Sequence, residues 1–180
     1  METYIALLRG INVGGKNIVS MPILRAAFEE AGFSAVRTYI NSGNVFFSAT
    51  EEGDVAALQQ RCEQVIAAEF SLAIPVAVIS AADLGEALRH APTWWDADED
   101  AKHNAIFVIA PASAEDIVRE VGEMKPEYEQ LAHHGQVLFW SAPIKTFSRT
   151  RLSKLVSTAL ISSITVRNAN TAKKLLALSE

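Results

Sequence analysis

One cysteine in 180 residues excludes an internal disulfide and leaves no second thiolate for a Cys-type zinc site. Cys62 falls in the helical series Val55, Leu58, Cys62, Val65, Ile66 and Phe70, which marks it as a core residue. Long apolar runs are missing too. The stretch from Ala105 to Ala112 is far short of the roughly 20 residues a membrane helix needs, so no membrane association is expected. No basic stretch precedes the first apolar segment and no small-residue cleavage site follows it, so no signal peptide is expected and the cytoplasm is the expected location. The histidines, His90, His103, His133 and His134, have no HExxH-like spacing, and no metal site is expected.

What is present is apolar and unevenly charged. A hydrophobic content of 49% over this length can bury a substantial core in one domain or two small ones. The net charge is −5, yet from Lys145 onward seven basic residues (Lys145, Arg149, Arg151, Lys154, Arg167, Lys173, Lys174) face Glu180 alone. A basic segment on an acidic chain suits a local anion site better than a broad nucleic-acid surface.

The order of elements repeats. A strand over residues 4–13 precedes a helix that Ser20 can cap, with Pro22 in its first turn and Gly32 at its end. Residues 36–41 and 44–49 read as a hairpin across Ser42-Gly43, followed by a helix over 54–70 and a strand over 76–80. Ser80 and Asp83 suggest a capping box for a further helix ending near His90, and 92–102, with Trp94 and Trp95, reads as a connector. The second half again gives a strand (105–110), a helix boxed by Ser113 and Asp116, a hairpin (128–133 and 136–141), a helix (151–160), a strand (164–166) and a last helix (171–178). The expected fold is α+β, with duplicated ferredoxin-like βαββαβ units over 1–91 and 103–180 packed into one compact body. Strands 5–8, 106–109 and 137–140 are apolar on both faces, so both faces are expected to be covered.

The polar residues cluster around turns. Gly10-Ile-Asn-Val-Gly-Gly15-Lys16-Asn17 nearly matches the phosphate-loop pattern GxxxxGK[ST], but Asn17 stands where the magnesium-binding hydroxyl belongs. The helix begins several residues late, and neither 76–80 nor 105–110 ends in an aspartate, so a nucleotide hydrolase is not indicated. The loop can still serve as a backbone anion site, with Arg9 and Lys16 as cations. Thr38, Tyr39, Ser42 and Asn44 surround the first hairpin turn. Ser42 has neither a GxSxG setting nor a histidine assigned to it. Arg149-Thr150-Arg151 and Thr165-Val-Arg167-Asn168, with Thr171, stand at helix starts of the kind that receive anions. His133 and His134 read as turn residues. Tyr4, Phe46 and Phe47 read as core and not as base-stacking residues.

The segments Ala6-Leu-Leu-Arg-Gly-Ile-Asn-Val-Gly-Gly15, Thr38-Tyr-Ile-Asn-Ser-Gly-Asn44 and Thr165-Val-Arg-Asn168 with Thr171 resemble the Domain of Unknown Function 1697 family. The resemblance implies a bacterial cytoplasmic protein of duplicated ferredoxin-like architecture without an established activity. It places recurring polar positions at Arg9, Asn12, Gly14, Gly15, Thr38, Tyr39, Ser42, Gly43, Asn44, Thr165, Arg167, Asn168 and Thr171. Ala169 departs from the pattern, which usually has tryptophan there.

The leading expectation is a protein that binds a small phosphorylated or otherwise anionic ligand, such as a nucleotide, at a composite site. Its walls would be Arg9 to Lys16, the Ser42 hairpin and Arg167-Asn168. The alternatives are an enzyme using the same site, an RNA- or DNA-binding regulator, and a protein-interaction module. Nucleic acid is the less favoured partner, and the cofactor, if there is one, and the oligomeric state stay open.

Overall fold

The structure, a computed structural model, describes residues 1–49, 54–155 and 159–180. The chain divides into two units, Met1–Ala82 with Ser179–Glu180, and Asp83–Leu178. In the first, β1 (Glu2–Leu8), α1 (Met21–Glu30), β2 (Ser34–Tyr39), β3 (Asn44–Ala49), α2 (Val55–Phe70) and β4 (Val76–Ser80) follow in that order. Its strands form an antiparallel sheet in the order β2-β3-β1-β4. The second unit takes in α3 (Ala81–Arg89) from Asp83 on, β5 (Ala101–Val108), α4 (Ala114–Val121), β6 (Gln130–His134), β7 (Val137–Pro143), α5 (Arg151–Leu155), β8 (Ile164–Asn168) and α6 (Ala169–Ser179). Its sheet is again antiparallel, ordered β6-β7-β5-β8. Among the described residues no helix is long and apolar enough to cross a membrane.

Burial follows the sequence pattern closely. In the first unit Tyr4, Ala6 and Leu8 of β1 join one cluster with Leu24 and Phe28 of α1 and Leu58, Cys62 and Ile66 of α2. Ile5 and Leu7, on alternate positions, are equally buried, as expected of a strand that is apolar on both faces. Phe28, Phe33 and Phe47 form a ring cluster with centroids 4.6–6.2 Å apart. Phe46, on the opposite face of β3, is buried as well, so none of Tyr4, Phe46 and Phe47 offers a stacking surface. In the second unit Ile106, Val108, Ile117, Leu138, Trp140 and Ile164 form the corresponding cluster.

Several boundaries differ from the sequence reading, each for a local reason. β1 stops at Leu8, well short of residue 13, because Gly10 and Asn12 adopt positive φ (65° and 54°) and turn the chain. The first hairpin has a four-residue turn over 40–43, with positive φ at Ile40 and Gly43, where two residues were expected. Ser20 precedes α1 but its side chain makes no capping bond. Ser113 and Asp116 do form the reciprocal capping box of α4. β5 begins at Ala101, inside the expected connector, because Ala101 and Lys102 pair with Pro143 and Ala142 of β7. Trp95 is anchored, its Nε1 donating to the Asn104 carbonyl at 2.9 Å and its ring set edge-on to Phe139. Of the helix expected over 151–160, residues 151–155 form α5 and 159–160 belong to a 3-10 helix (Ala159–Ser163), while 156–158 lie outside the described residues.

Cys62 is fully buried, and burial pushes its thiol up to about 12. The native protein should therefore resist a thiol reagent at pH 8 and react stoichiometrically once unfolded in urea. Rapid labelling of the folded protein would contradict that placement.

Candidate functional site

Two of the polar segments meet in the first unit. Val13 and Lys16 pair as an isolated bridge, with the Lys16 N–H donating to the Val13 carbonyl at 3.0 Å. Gly14 and Gly15 between them both have positive φ (58° and 73°), as a type I′ turn demands. Asn17, also at positive φ, donates from Nδ2 to the Gly10 carbonyl at 3.0 Å and closes the base of the loop. The glycines are thus explained first by the turn, and their exposed backbone leaves the loop surface open to solvent.

Asn12 fastens this loop to the hairpin. Its Nδ2 donates to the carbonyls of Val19 at 3.0 Å and Asn41 at 2.9 Å, while its Oδ1 accepts from the Val19 N–H at 2.8 Å. On the other side Gly43 sits hard against Leu8 and Ile11, and its carbonyl accepts from the Leu8 N–H at 2.9 Å. Buried Asn44 donates to the Tyr39 carbonyl at 3.0 Å and to the Ser42 hydroxyl at 3.3 Å. Asn12, Gly43 and Asn44 are therefore occupied in shaping the loops. Thr38, Tyr39 and Ser42 remain half-buried along the same hairpin.

Arg9 follows the last residue of β1 and is half-buried; its N–H donates to the Pro75 carbonyl at 3.0 Å. Among the described residues neither its guanidinium nor the exposed Lys16 ammonium has a hydrogen-bonding or acidic partner. Arg149, Arg151 and Arg167 of the second unit, by contrast, each have a hydrogen-bonding or ring partner. The first unit contains no histidine, so Ser42 has no imidazole base within its own unit.

The second unit's candidate residues carry structural duties. Glu129, buried in a stretch that looks solvent-facing in sequence, accepts from Trp140 Nε1 at 3.1 Å and from the N–H groups of Arg151 at 2.5 Å and Leu152 at 3.3 Å. Its carboxylate thereby occupies the start of α5, the place where the sequence suggested an external anion. Arg151 Nη1 donates to the Glu123 carbonyl at 2.6 Å, and Arg149 lies over the Tyr128 ring at 6.0 Å. Arg167 is buried, with Nη1 donating to Thr165 Oγ1 and to the Val166 carbonyl, each at 2.9 Å. Burial alone pushes its guanidinium down to about 10, which leaves it charged at neutral pH. Asn168 Oδ1 caps α6 by accepting from the Thr171 N–H at 2.8 Å.

One convergence was not visible in the sequence: Glu86, His90 and His134 bring donor atoms within 4.8 Å of one another. The Glu86 to His90 spacing was readable as neighbours on a helix, but His134 arrives from β6, and only the tertiary fold joins it to them.

The fold defines an α+β protein with two four-stranded antiparallel sheets, and the first unit carries a joined pair of polar loops. Residues 1–139 match the family described as "Protein of unknown function (DUF1697)", and the chain belongs to that family. The matched stretch contains the Arg9 loop and the Ser42 hairpin and ends before Thr165. A solved structure titled as that of the conserved bacterial protein SP0830 from Streptococcus pneumoniae is similar to this chain. It has a TM-score of 0.87 and 30% sequence identity, with 99% of each chain covered. No curated protein matches the chain.

Proposed function

We propose that the first unit binds a small anionic ligand, of the phosphate-bearing kind, on the surface formed by the Arg9–Lys16 loop and the Ser42 hairpin. The observation that carries this reading is the pairing of a rigidly fastened loop with two cations, Arg9 and Lys16, that lack acidic partners among the described residues. A positioned arginine offers a planar fork to phosphate oxygens, and the exposed N–H groups of Gly14 and Gly15 lie in the same loop. No reaction is assigned to the site.

Two companion readings belong with it. The units are copies of one ferredoxin-like βαββαβ unit, supported by the matching order in which each sheet places its second, third, first and fourth strands. The protein works in the cytoplasm, a reducing compartment that its single cysteine suits.

Thermal unfolding in the presence of inorganic phosphate, nucleotides and sugar phosphates tests the site. A ligand at a hundredfold excess over its Kd stabilises by about 2.7 kcal/mol, which is a readable shift. The wild type should be stabilised by at least one of these anions, and Arg9→Ala and Lys16→Ala should lose most of that shift. Equal shifts in all three proteins, or none in the wild type, would overturn the reading.

A further inference from the structure

We propose that Glu86, His90 and His134 form an open binding site for a divalent transition-metal ion of the zinc type on the second unit. It is independent of the anion surface, since every residue belongs to the other unit.

The donors come from two elements that the fold fixes separately. Glu86 lies in the last turn of α3 and His90 follows four residues later, directly after the helix, so both occupy one face. This is the spacing at which two side chains on one helix reach a common ion. His134 ends β6, where its backbone pairs with Val137 ahead of the turn at Gly135. Glu86 Oε1 stands 3.3 Å from His90 Nδ1 and 4.0 Å from His134 Nε2, so one carboxylate oxygen addresses both rings. The other oxygen is paired with Arg89, which holds the carboxylate in this orientation as an outer partner holds a metal ligand.

The chemistry of the set favours a borderline ion. Two imidazoles and one carboxylate are the donors zinc, cobalt and nickel accept in sites that keep an open position for water or a further ligand. At bond lengths of about 2.0–2.2 Å, two donors on a tetrahedral ion stand roughly 3.3–3.6 Å apart. The present separations, all within 4.8 Å, reach that by side-chain rotation, which for His90 also gives up the hydrogen bond from its Nδ1 to the Glu86 carbonyl 3.0 Å away and frees that nitrogen of its proton. The two rings lie face to face, centroids 4.2 Å apart and planes 7° from parallel. An ion in the plane of one ring would stand off the plane of the other, so metal entry turns at least one ring about χ2, a broad and soft torsion. All three side chains are exposed enough to do so, at 46% for Glu86, 53% for His90 and 39% for His134.

Zinc chloride titrated calorimetrically into metal-stripped full-length protein tests this. The wild type should take up one zinc ion per chain. His90→Ala, His134→Ala and Glu86→Gln should each weaken binding by at least about tenfold, the size that loss of even an outer partner produces. His103→Ala and His133→Ala should bind as the wild type does. Zinc should also move the ring ¹⁵N resonances of His90 and His134 and leave those of His103 in place. The substituted side chains are exposed or half-buried, and unchanged thermal midpoints of the metal-free variants will show that they fold. Absence of zinc uptake by the wild type overturns the proposal. So does wild-type affinity in the three ligand variants, or a resonance shift confined to His103 and His133.

Discussion

Replacing Gly43 with alanine is expected to remove about 3 kcal/mol of stability, from about 1–2 kcal/mol for a left-handed backbone and a similar amount for overpacking. The residue has φ of 88°, and a Cβ there would lie 2.7 Å from Ile11 Cδ1 and 2.9 Å from Leu8 Cβ. Leu8 sits at the end of β1, where it pairs with Val76, and Ile11 is fully buried, so neither can yield without disturbing the core. Gly10→Ala provides the contrast. It too has positive φ, but its Cβ would meet nothing within 4 Å, so only the backbone contribution of about 1–2 kcal/mol should appear. Urea denaturation of the two variants separates steric from conformational effects. Equal losses at the two positions would mean that the Leu8 and Ile11 contacts do not restrict Gly43.

Glu129→Ala should cost about as much for an electrostatic reason. It strips three donors, the Trp140 indole and the N–H groups of Arg151 and Leu152, of one shared acceptor in the interior of the second unit. Each buried donor left without a partner costs about 1–3 kcal/mol, and partial hydration near Arg151 brings the expected total to about 3 kcal/mol. Glu129→Gln keeps one accepting oxygen but turns an N–H₂ toward a donor, so its denaturation midpoint should fall between those of alanine and wild type. An unchanged midpoint for Glu129→Ala would show that water replaces the carboxylate without loss.

The order of strands and helices was legible because residue periodicity and turn chemistry agree over most of the chain. Cys62 with its helical neighbours and the Ser113-Asp116 box each announce themselves locally. The end of β1 did not, since Ile11 and Val13 continue an apolar alternation while Gly10 and Asn12 turn the backbone out of it. Glu129 was missed because the hairpin strand expected over 128–133 gives a carboxylate no partner nearby in sequence, and only contact with Trp140 and α5 buries it. The Asn12 amide was legible as polar and turn-forming but not as the clasp between two loops, because its partner at Asn41 is distant in sequence. The same limit hid His134 from His90.

That clasp has a consequence for motion. The Asn12 amide ties the glycine loop to the hairpin turn, and the Leu8–Gly43 bond ties that turn to β1, so opening either loop breaks a bond held by the other. The amides of Val19 and Gly43 are therefore expected to exchange with solvent at a common opening free energy although they stand apart in sequence, and clearly different values in native-state hydrogen exchange would show that the two segments open separately.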